Sequence, residues 1–347
     1  MSMDNDQFAD AARDVLADQC TPQVVRAIEE GGRTAEATTA LWEQLEATGL
    51  ADALLSEDAG GAGLGLGQVF GVLEQCGAHA LPLPLGETMV ARALLAQAGV
   101  ARPAGSIALA RGEHLANGGL RCALVRSGQV AAAVLVQTGT EWRLLNTADA
   151  QGAAQALALD AALTWTAVQV QAAPAVEVNG ALDVRTLQAA VVAAQMAGAL
   201  SSVFRRSLQY ANERQQFGRP IGKFQAIQHQ LAVMSEHVFA ARMAAQLGCS
   251  AGHDGMGVVP DRLRVATAKA RCSEAALVVS ELAHAIHGAI GFTEEYDLQL
   301  FTRRLHAWRQ TAGSEAYWYG VAGEALLHHQ GMTLDIVRRI TDVDTVL

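Results

Sequence analysis

Between Arg214 and Gln225 the chain reads RQQFGRPIGKFQ. One permanently charged guanidinium, Arg214, stands with the amides of Gln216 and Gln225 and the ammonium of Lys223 around the ring of Phe217. A guanidinium grips phosphate or carboxylate through a rigid fork of donors, and amides beside an aromatic suit a ligand that also carries a ring. The segment cannot be continuous helix. Gly218, Pro220 and Gly222 fall within five residues, and Pro220 lacks a donor and pushes Arg219 out of the helical region. The local chemistry is therefore a tight loop presenting one arginine and one aromatic. A plain helix–helix connection with a solvated arginine would have the same composition.

Long helices must hold that loop. Ile227, Leu231, Met234, Val238 and Ala241 recur at helical steps, which predicts a helix from about Phe224 to Ala251. Upstream, Asp183 or Thr186 can cap a helix carrying Leu187, Val191, Ala194 and Gly198, whose small residues allow close helix contact, as far as about Asn212. After a linker at Gly252–Pro260, Asp261 caps a helix to His287, which Gly288 and Gly291 end; Leu298–Trp308 and Glu315–His328 follow. Long helices with short connections predict a bundle over 183–347. Residues 1–103 also read as helices, among them Thr39–Gly49, interrupted by a five-glycine turn at Ser56–Gly67. Residues 104–182 differ. Ser106–Leu109, Ala123–Val125, Ala131–Val136, Trp142–Asn146 and Ala167–Val170 are short β-compatible runs separated by glycines, which predicts a small barrel or sandwich. The expected class is mostly α with a small β domain, in the order α–β–α.

Composition bounds the function. A net charge of −10 argues against nucleic acid, whose binding needs a basic footprint. Five scattered cysteines, with no paired spacing, suggest reduced thiols and no zinc site. An acidic start without a basic leader, and no apolar run near ~20 residues, lead us to expect a cytoplasmic chain without a membrane span.

Three places resemble the acyl-CoA dehydrogenase family. Arg214–Gln228 is similar to its R-x-x-F-G-x-x-I…F-Q-x-x-Q signature, SEDAGGAGLGLG to its N-terminal glycine turn, and HGAIGF at 287–292 to its H-G-G-x-G-[FY] turn. The resemblance implies the three-domain fold with a C-terminal four-helix bundle, FAD as cofactor and an acyl-CoA substrate. It also implies an electron-transfer flavoprotein as acceptor and a homo- or hetero-oligomeric dimer or tetramer. On the motif-matched positions it implies that Arg214 pairs with the FAD pyrophosphate, that Phe217 and Gln225 border the adenine side, and that these three come from a neighbouring subunit. His287, Gly288 and Ala289 stand where the family turn approaches the cofactor. The family's glutamine is missing there and its second glycine is Ala289. Ser314 follows Gly313 at the other cofactor-lining loop. No L-T-E-P-x-x-G-S-D-like segment is present. Arg303 and Arg304 match a family arginine expected to serve structure.

The family reaction needs a carboxylate base. Its commoner place falls on Ala312, which cannot take a proton. A second place, fourteen residues before Gly288, falls on Glu274. On a helical wheel Glu274 shares a face with Leu263, Ala270, Leu277 and Val278, so burial would raise its pKa and suit it to act as base. Glu281 lies on the same face, and an exposed Glu274 paired with Arg271 is the alternative. The shortness of the chain and its divergent turn resemble the paired subunits of bacterial heteromeric acyl-CoA dehydrogenases that act on fatty acid or steroid side chains. Two functions are therefore expected: an FAD-dependent dehydrogenase with Glu274 as base, or a non-catalytic subunit that completes a partner's FAD site or binds acyl-CoA. An oxidase would look the same in sequence.

Overall fold

The computed structural model describes residues 3–157, 159–178, 182–250 and 257–342. Five helices come first: α1 (Met3–Gln19), α2 (Pro22–Gly31), α3 (Glu36–Ala47), α4 (Phe70–Ala78) and α5 (Leu85–Gln97). Thr21 caps α2 by accepting from the Val24 N–H, and Gly49, at φ 73°, takes the left-handed turn just past α3. The five-glycine turn folds back on its own chain. The Leu66 N–H donates to the Gly257 carbonyl at 2.6 Å, and a Cβ at Gly65 would lie 3.3 Å from that same oxygen. Its glycines thus serve a backbone-to-backbone approach within the chain.

The middle region holds two sheets over one apolar core. The first joins β1 (Ile107–Arg111) in parallel to β4 (Ala133–Thr138), which pairs antiparallel with β5 (Glu141–Asn146). The second runs β2 (Glu113–His114), β3 (Leu120–Val125), β7 (Ala161–Trp165), β6 (Gln151–Ala154). Ala108, Ala110, Leu120, Cys122, Val134, Val136, Leu163 and Trp165 fill the space between them. One expected strand is a helix instead: Ala167–Ala172 forms α6, opened by a capping box between Thr166 and Gln169. The capping residues decided this segment over its β-compatible valines.

The bundle comprises α7 (Val184–Glu213), α8 (Gln225–Cys249), α9 (Arg262–His287) and α10 (Leu298–Gln310), with α11 (Glu315–His328) laid on α9. Between α7 and α8, β8 (Gln215–Gln216) and β9 (Arg219–Pro220) form a small hairpin. A last helix, α12 (Thr333–Thr341), was not expected from the sequence. The predicted linker at 252–260 lies largely outside the described residues. Asp183 caps α7 and Asp261 caps α9, as their positions suggested. Arg303 and Arg304 both pair with Glu29, at 2.9 and 2.8 Å, tying α10 to α2. Two helices, Val184–Glu213 and Arg262–Phe292, are long and apolar enough to cross a membrane, where the sequence reading expected none. The first is the core helix of the bundle, with 89% of its most apolar window buried.

Small residues set the spacing of α7 against α4. A Cβ on Gly198 would fall 1.8 Å from the Glu74 carbonyl oxygen, and one on Gly77 would fall 1.7 Å from that of Gln195. Glycine inside a helix costs roughly 1 kcal/mol relative to alanine, so Gly198→Ala would stabilise an isolated α7. In this fold the backbone clash outweighs that gain. We expect Gly198→Ala to destabilise by roughly 2–3 kcal/mol, read as a lower denaturant midpoint. An unchanged or higher midpoint would mean that the two helices are not held at this distance.

Candidate functional site

The described residues place candidate chemistry at two opposite ends of α7. Arg262, at the start of α9, donates to Asp183 at 2.6 Å and Thr186 at 2.7 Å at the start of α7. His287, in the last turn of α9, stacks on Tyr210 near the end of α7, with ring centroids 4.5 Å apart. The two helices therefore run parallel. With 30 residues, α7 is about 45 Å long.

At the N-terminal end of α7 a cleft of about 430 Å³ opens between the β region and the bundle. Arg111, Gly112 and Glu113 supply one wall, the outward face of β3 a second, Val184, Arg185 and Gln188 a third, and the Thr311–Gly313 loop a fourth. Its floor is Arg126, which is 3% exposed. Arg126 Nη1 lies 3.5 Å from Glu87 Oε1, Nη2 donates to Gln195, and the guanidinium rests 5.0 Å over the Trp308 ring. Glu87 is wholly buried. Its carboxylate accepts from the Leu109 N–H at 2.7 Å and from Gln188 at 3.5 Å. Burial raises the Glu87 pKa, and Arg126 and the two hydrogen bonds oppose that rise. None of these four polar side chains was singled out by sequence, because no motif joins positions 87, 126, 188 and 195.

The loop wall is fixed by a buried lysine. Lys269 Nζ donates to Ser273 Oγ at 2.9 Å and to the carbonyls of Arg309 and Gly313 at 3.0 Å each. Ser314 follows this loop as the residue preceding α11 and makes no side-chain cap. Ala312, at the place where the family base was sought, lines the cleft and brings no acid. The carboxylate among the lining residues is Glu113, an exposed side chain 3.9 Å from Arg121.

Glu274 is elsewhere. Its side chain is 49% exposed and pairs with Arg271 at 2.8 Å, one turn back on the same helix. Arg271 in turn meets His237 of α8 at 3.1 Å. Burial, then the Glu274 carboxylate, raises the hydroxyl pKa of neighbouring Tyr319 on α11. The expected burial of Glu274 is thus overturned. The wheel named an apolar face, but Glu274 stands exposed, beside Arg271 of its own helix and Tyr319 of α11. It does not line the cleft.

At the C-terminal end of α7 stand most of the residues expected to touch a cofactor. Residues 212–219 are all exposed, Arg214 among them. Phe217 is 91% exposed, and with φ 51° beside Gly218 at φ 79° it forms the tip of the hairpin. Phe224 packs edge-on to Phe217 at 6.0 Å and carries Arg219 over its face at 4.2 Å. Gln225 is exposed at the first turn of α8. Gly288, at φ 65°, and Ala289 are exposed on the adjacent turn. His287 is buried. Its Nδ1 meets the Ala283 carbonyl at 2.7 Å, its Nε2 has no hydrogen-bond partner, and burial lowers its pKa. Arg214, Phe217, Gln225, His287, Gly288 and Ala289 therefore gather at one end, and Ser314 sits at the other.

Residues 2–102 match the N-terminal domain model of acyl-CoA dehydrogenases, and residues 184–327 match the C-terminal domain model. A relative, "Acyl-CoA dehydrogenase IpdE2" of Mycobacterium tuberculosis, is 30% identical over 297 residues, 84% of this chain and 87% of its own. The chain belongs to the acyl-CoA dehydrogenase family. Family members of that name are oxidoreductases acting on CH–CH bonds. Among solved structures, the ChsE4-ChsE5 complex from Mycobacterium tuberculosis has a chain that superposes with TM-score 0.80 at 22% identity, covering 95% of this chain and 99% of that one. A steroid acyl-CoA dehydrogenase, the Tcur3481-Tcur3483 variant G363A, superposes with TM-score 0.75 at 27% identity, covering 93% and 97%. The α–β–α architecture is that of the family.

The family's flavin raises the question of fit. An exposed arginine and aromatic near a buried, unpartnered imidazole nitrogen suit part of a dinucleotide, and the cleft at Gly313, the residue before Ser314, suits another part. Separation by the length of α7 means that one chain cannot offer both ends to the same molecule.

Lys269 carries a pH dependence. Burial lowers its pKa from 10.5 to about 7. An unfolded lysine keeps its proton up to ~10.4, so above pH 7 the unfolded chain binds more protons and stability rises with pH. The buried thiols of Cys20, Cys76, Cys122, Cys249 and Cys272, pushed up to about 12, oppose this from about a unit below the ordinary thiol pKa of ~8.5 upward, and they are common to the wild type and a Lys269 variant, so the comparison between the two removes them. Between pH 7 and about 8.5 the stability of the wild-type chain relative to Lys269→Met should climb, by at most ~1.4 kcal/mol per pH unit. Paired denaturant titrations across that window check this. A difference that stays flat would mean that the ammonium is not desolvated.

Proposed function

We propose that the chain is one subunit of an FAD-dependent acyl-CoA dehydrogenase assembly that introduces a double bond between the α and β carbons of a CoA thioester. The observation that carries this is the two-ended α7. Motif residues for a cofactor stand about 27–38 Å from the cleft, the 18 to 25 residues of α7 between Gln195 or Gln188 and Glu213, so the hairpin of this chain would serve the cofactor of a neighbour. Bound there, FAD would supply the hydride acceptor. Arg214 would hold a phosphate through its free fork, Phe217 and Gln225 would border a ring, and His287 with Gly288 and Ala289 would close on the pyrophosphate side. Ser314 would meet a cofactor lying in the chain's own cleft.

The α-proton needs a base, and this chain is poorly supplied with one. Ala312 is inert, Gln188 is an amide, and Glu274 is ion-paired on the outside. The reading supported best is therefore the partnered one, in which a carboxylate of the other subunit takes the proton. Two of the solved structures that superpose on this chain are of paired proteins, which supports a heteromeric assembly. The steroid acyl-CoA dehydrogenase among them suggests a bulky acyl group. An electron-transfer flavoprotein would be the acceptor and the cytoplasm the setting.

Absorption spectra separate the two functions. Purified alone, the chain should be colourless, or yellow without bleaching on addition of a steroid side-chain CoA thioester. With a base-bearing partner of the same family it should bind FAD and bleach. Turnover by the isolated chain would overturn the partnered reading and direct attention to Glu113. In the active assembly, Glu274→Gln should leave kcat within about twofold, whereas a loss of several orders of magnitude would return the base role to Glu274. Arg214→Ala should weaken FAD retention by the assembly at least tenfold, measured as released flavin fluorescence.

A further inference from the structure

Strands β1, β5, β2 and β6 border the two sheets of the middle region. The chain closes the first two edges itself. Along β1 the Ile107 N–H donates to Thr88 Oγ1 at 2.9 Å and the Leu109 N–H to Glu87 at 2.7 Å, while the Gln188 amide donates to the Leu109 carbonyl. Along β5 the Leu144 N–H donates to the Pro174 carbonyl at 3.1 Å, and the Val176 N–H to the Trp142 carbonyl at 2.9 Å. Strand β2 spans two residues and carries Glu113. Cover, shortness and charge are how proteins keep a sheet edge from pairing with another chain.

Strand β6 has none of these except shortness. Gln151, Gly152, Ala153 and Ala154 are all exposed and uncharged, with no proline among them and no bulge against β7. The Gln155 N–H donates to the Asp160 carbonyl at 3.1 Å, and hydrogen-bonded pairs alternate along an antiparallel ladder. Ala154 and Gly152, opposite Ala161 and Leu163, therefore turn their N–H and C=O groups away from β7. Nothing among the described residues bonds to them there.

A groove of about 270 Å³ opens at this edge. Ala161 and Leu163 belong to the core between the sheets, and Gly152 and Ala154 share their face, so the groove lies on the inner side of β6. Cross-strand partners put their side chains on one face. Residues of an added strand that pair with Gly152 and Ala154 would thus turn their side chains toward the groove. Its walls are small or uncharged, and Arg33 is the one charged residue that lines it. Arg33 Nη2 donates to the Ala131 carbonyl at 2.8 Å and to Thr147 Oγ1 at 2.6 Å, which fixes the guanidinium. Its Nε and Nη1 bond to nothing among the described residues and are left for a carboxylate.

We propose that β6 is a docking edge for an extended, carboxylate-bearing peptide segment of another protein. The segment adds as an antiparallel strand, sets small apolar side chains in the groove and places its carboxylate on Arg33. Main-chain pairing of this kind supplies affinity, and the groove and the charge supply selectivity. The site shares no residue with the cleft or the hairpin, so its test is independent of the dehydrogenase reading.

Selection of a random heptapeptide phage library on the purified chain, followed by fluorescence anisotropy with the enriched peptides, tests it. The enriched sequences should alternate apolar residues and carry a carboxylate, and their affinity should fall as salt is raised. Proline is tolerated on an edge strand where its missing N–H faces outward, so Ala154→Pro should keep the fold while lowering affinity at least tenfold. Arg33→Gln should lower it at least fivefold. If Ala154→Pro does not fold, the peptide carries the test. Methylating one alternate set of its backbone nitrogens should abolish binding, and methylating the other set should leave it within about twofold. No enriched peptide, equal binding to Ala154→Pro, or equal effects of the two methylated sets would overturn the proposal. Loss with Arg33→Gln alone would also overturn it and leave the groove as a site for small carboxylates.

Discussion

One buried charge pair sits where the three parts of the chain meet. Glu87 belongs to α5, its hydrogen-bond donor Leu109 to β1, Arg126 follows β3, Gln188 and Gln195 belong to α7, and Trp308 to α10. Such a pair contributes little net stability against an apolar replacement, because desolvating both ions offsets their attraction. Removing one member is a different matter, since the other is then stranded at roughly 3–5 kcal/mol. The pair therefore acts as a constraint on geometry. The β region, the first helices and the bundle must all arrive in register for every polar atom to be met, and the cleft floor is defined when they do.

The rest of the cleft follows from that junction. Strand β3 alternates buried and exposed residues, so Cys122 enters the sheet core while Arg121 and Ala123 face the opening. Gln188 reaches it because the first turns of α7 lie under β1, with the Gln188 amide donating to the Leu109 carbonyl at 2.8 Å. The fourth wall is a loop rather than an element, and it depends on Lys269, whose three acceptors include both ends of the Arg309–Gly313 segment. Arg309 then reaches forward to Glu315 at 3.0 Å, so the loop is clamped from outside as well.

The bundle was legible because long helices repeat their pattern many times. Glu315–His328 was predicted to the residue, Asp261 was placed as the cap of α9, and Asp183 was one of two candidates offered for the cap of α7. The short strands were less so. Ala161–Trp165 went unread and Ala167–Val170 was misread, since five or six residues offer too few periods to separate strand from capped helix. At the site, the motif residues at the hairpin were visible because they are contiguous. The floor of the cleft was not, because its members are scattered from 87 to 195 and acquire meaning only when folded together. Glu274 shows a different limit. Periodicity says which residues share a face, but not whether a neighbouring helix covers it.

A helix of 30 residues buried for most of its length cannot carry a signal between its ends by moving a side chain; it can only hold them apart. The hairpin and the cleft are therefore fixed at a constant separation, with no shared residue. The residues that match the family signature stand on the exposed tip, and that exposure has a physical use only if something outside the chain docks there, since Phe217 in water gains nothing from its position. The tip also lies at the root of Tyr210, His287 and Tyr296, a cluster of rings packed within 6.1 Å of one another. That cluster stiffens the base from which Arg214 projects. Arg214 and Phe217 stand in solvent beyond that base, where only a surface from another molecule can cover them, and the chain's own cleft lies toward the other end of α7.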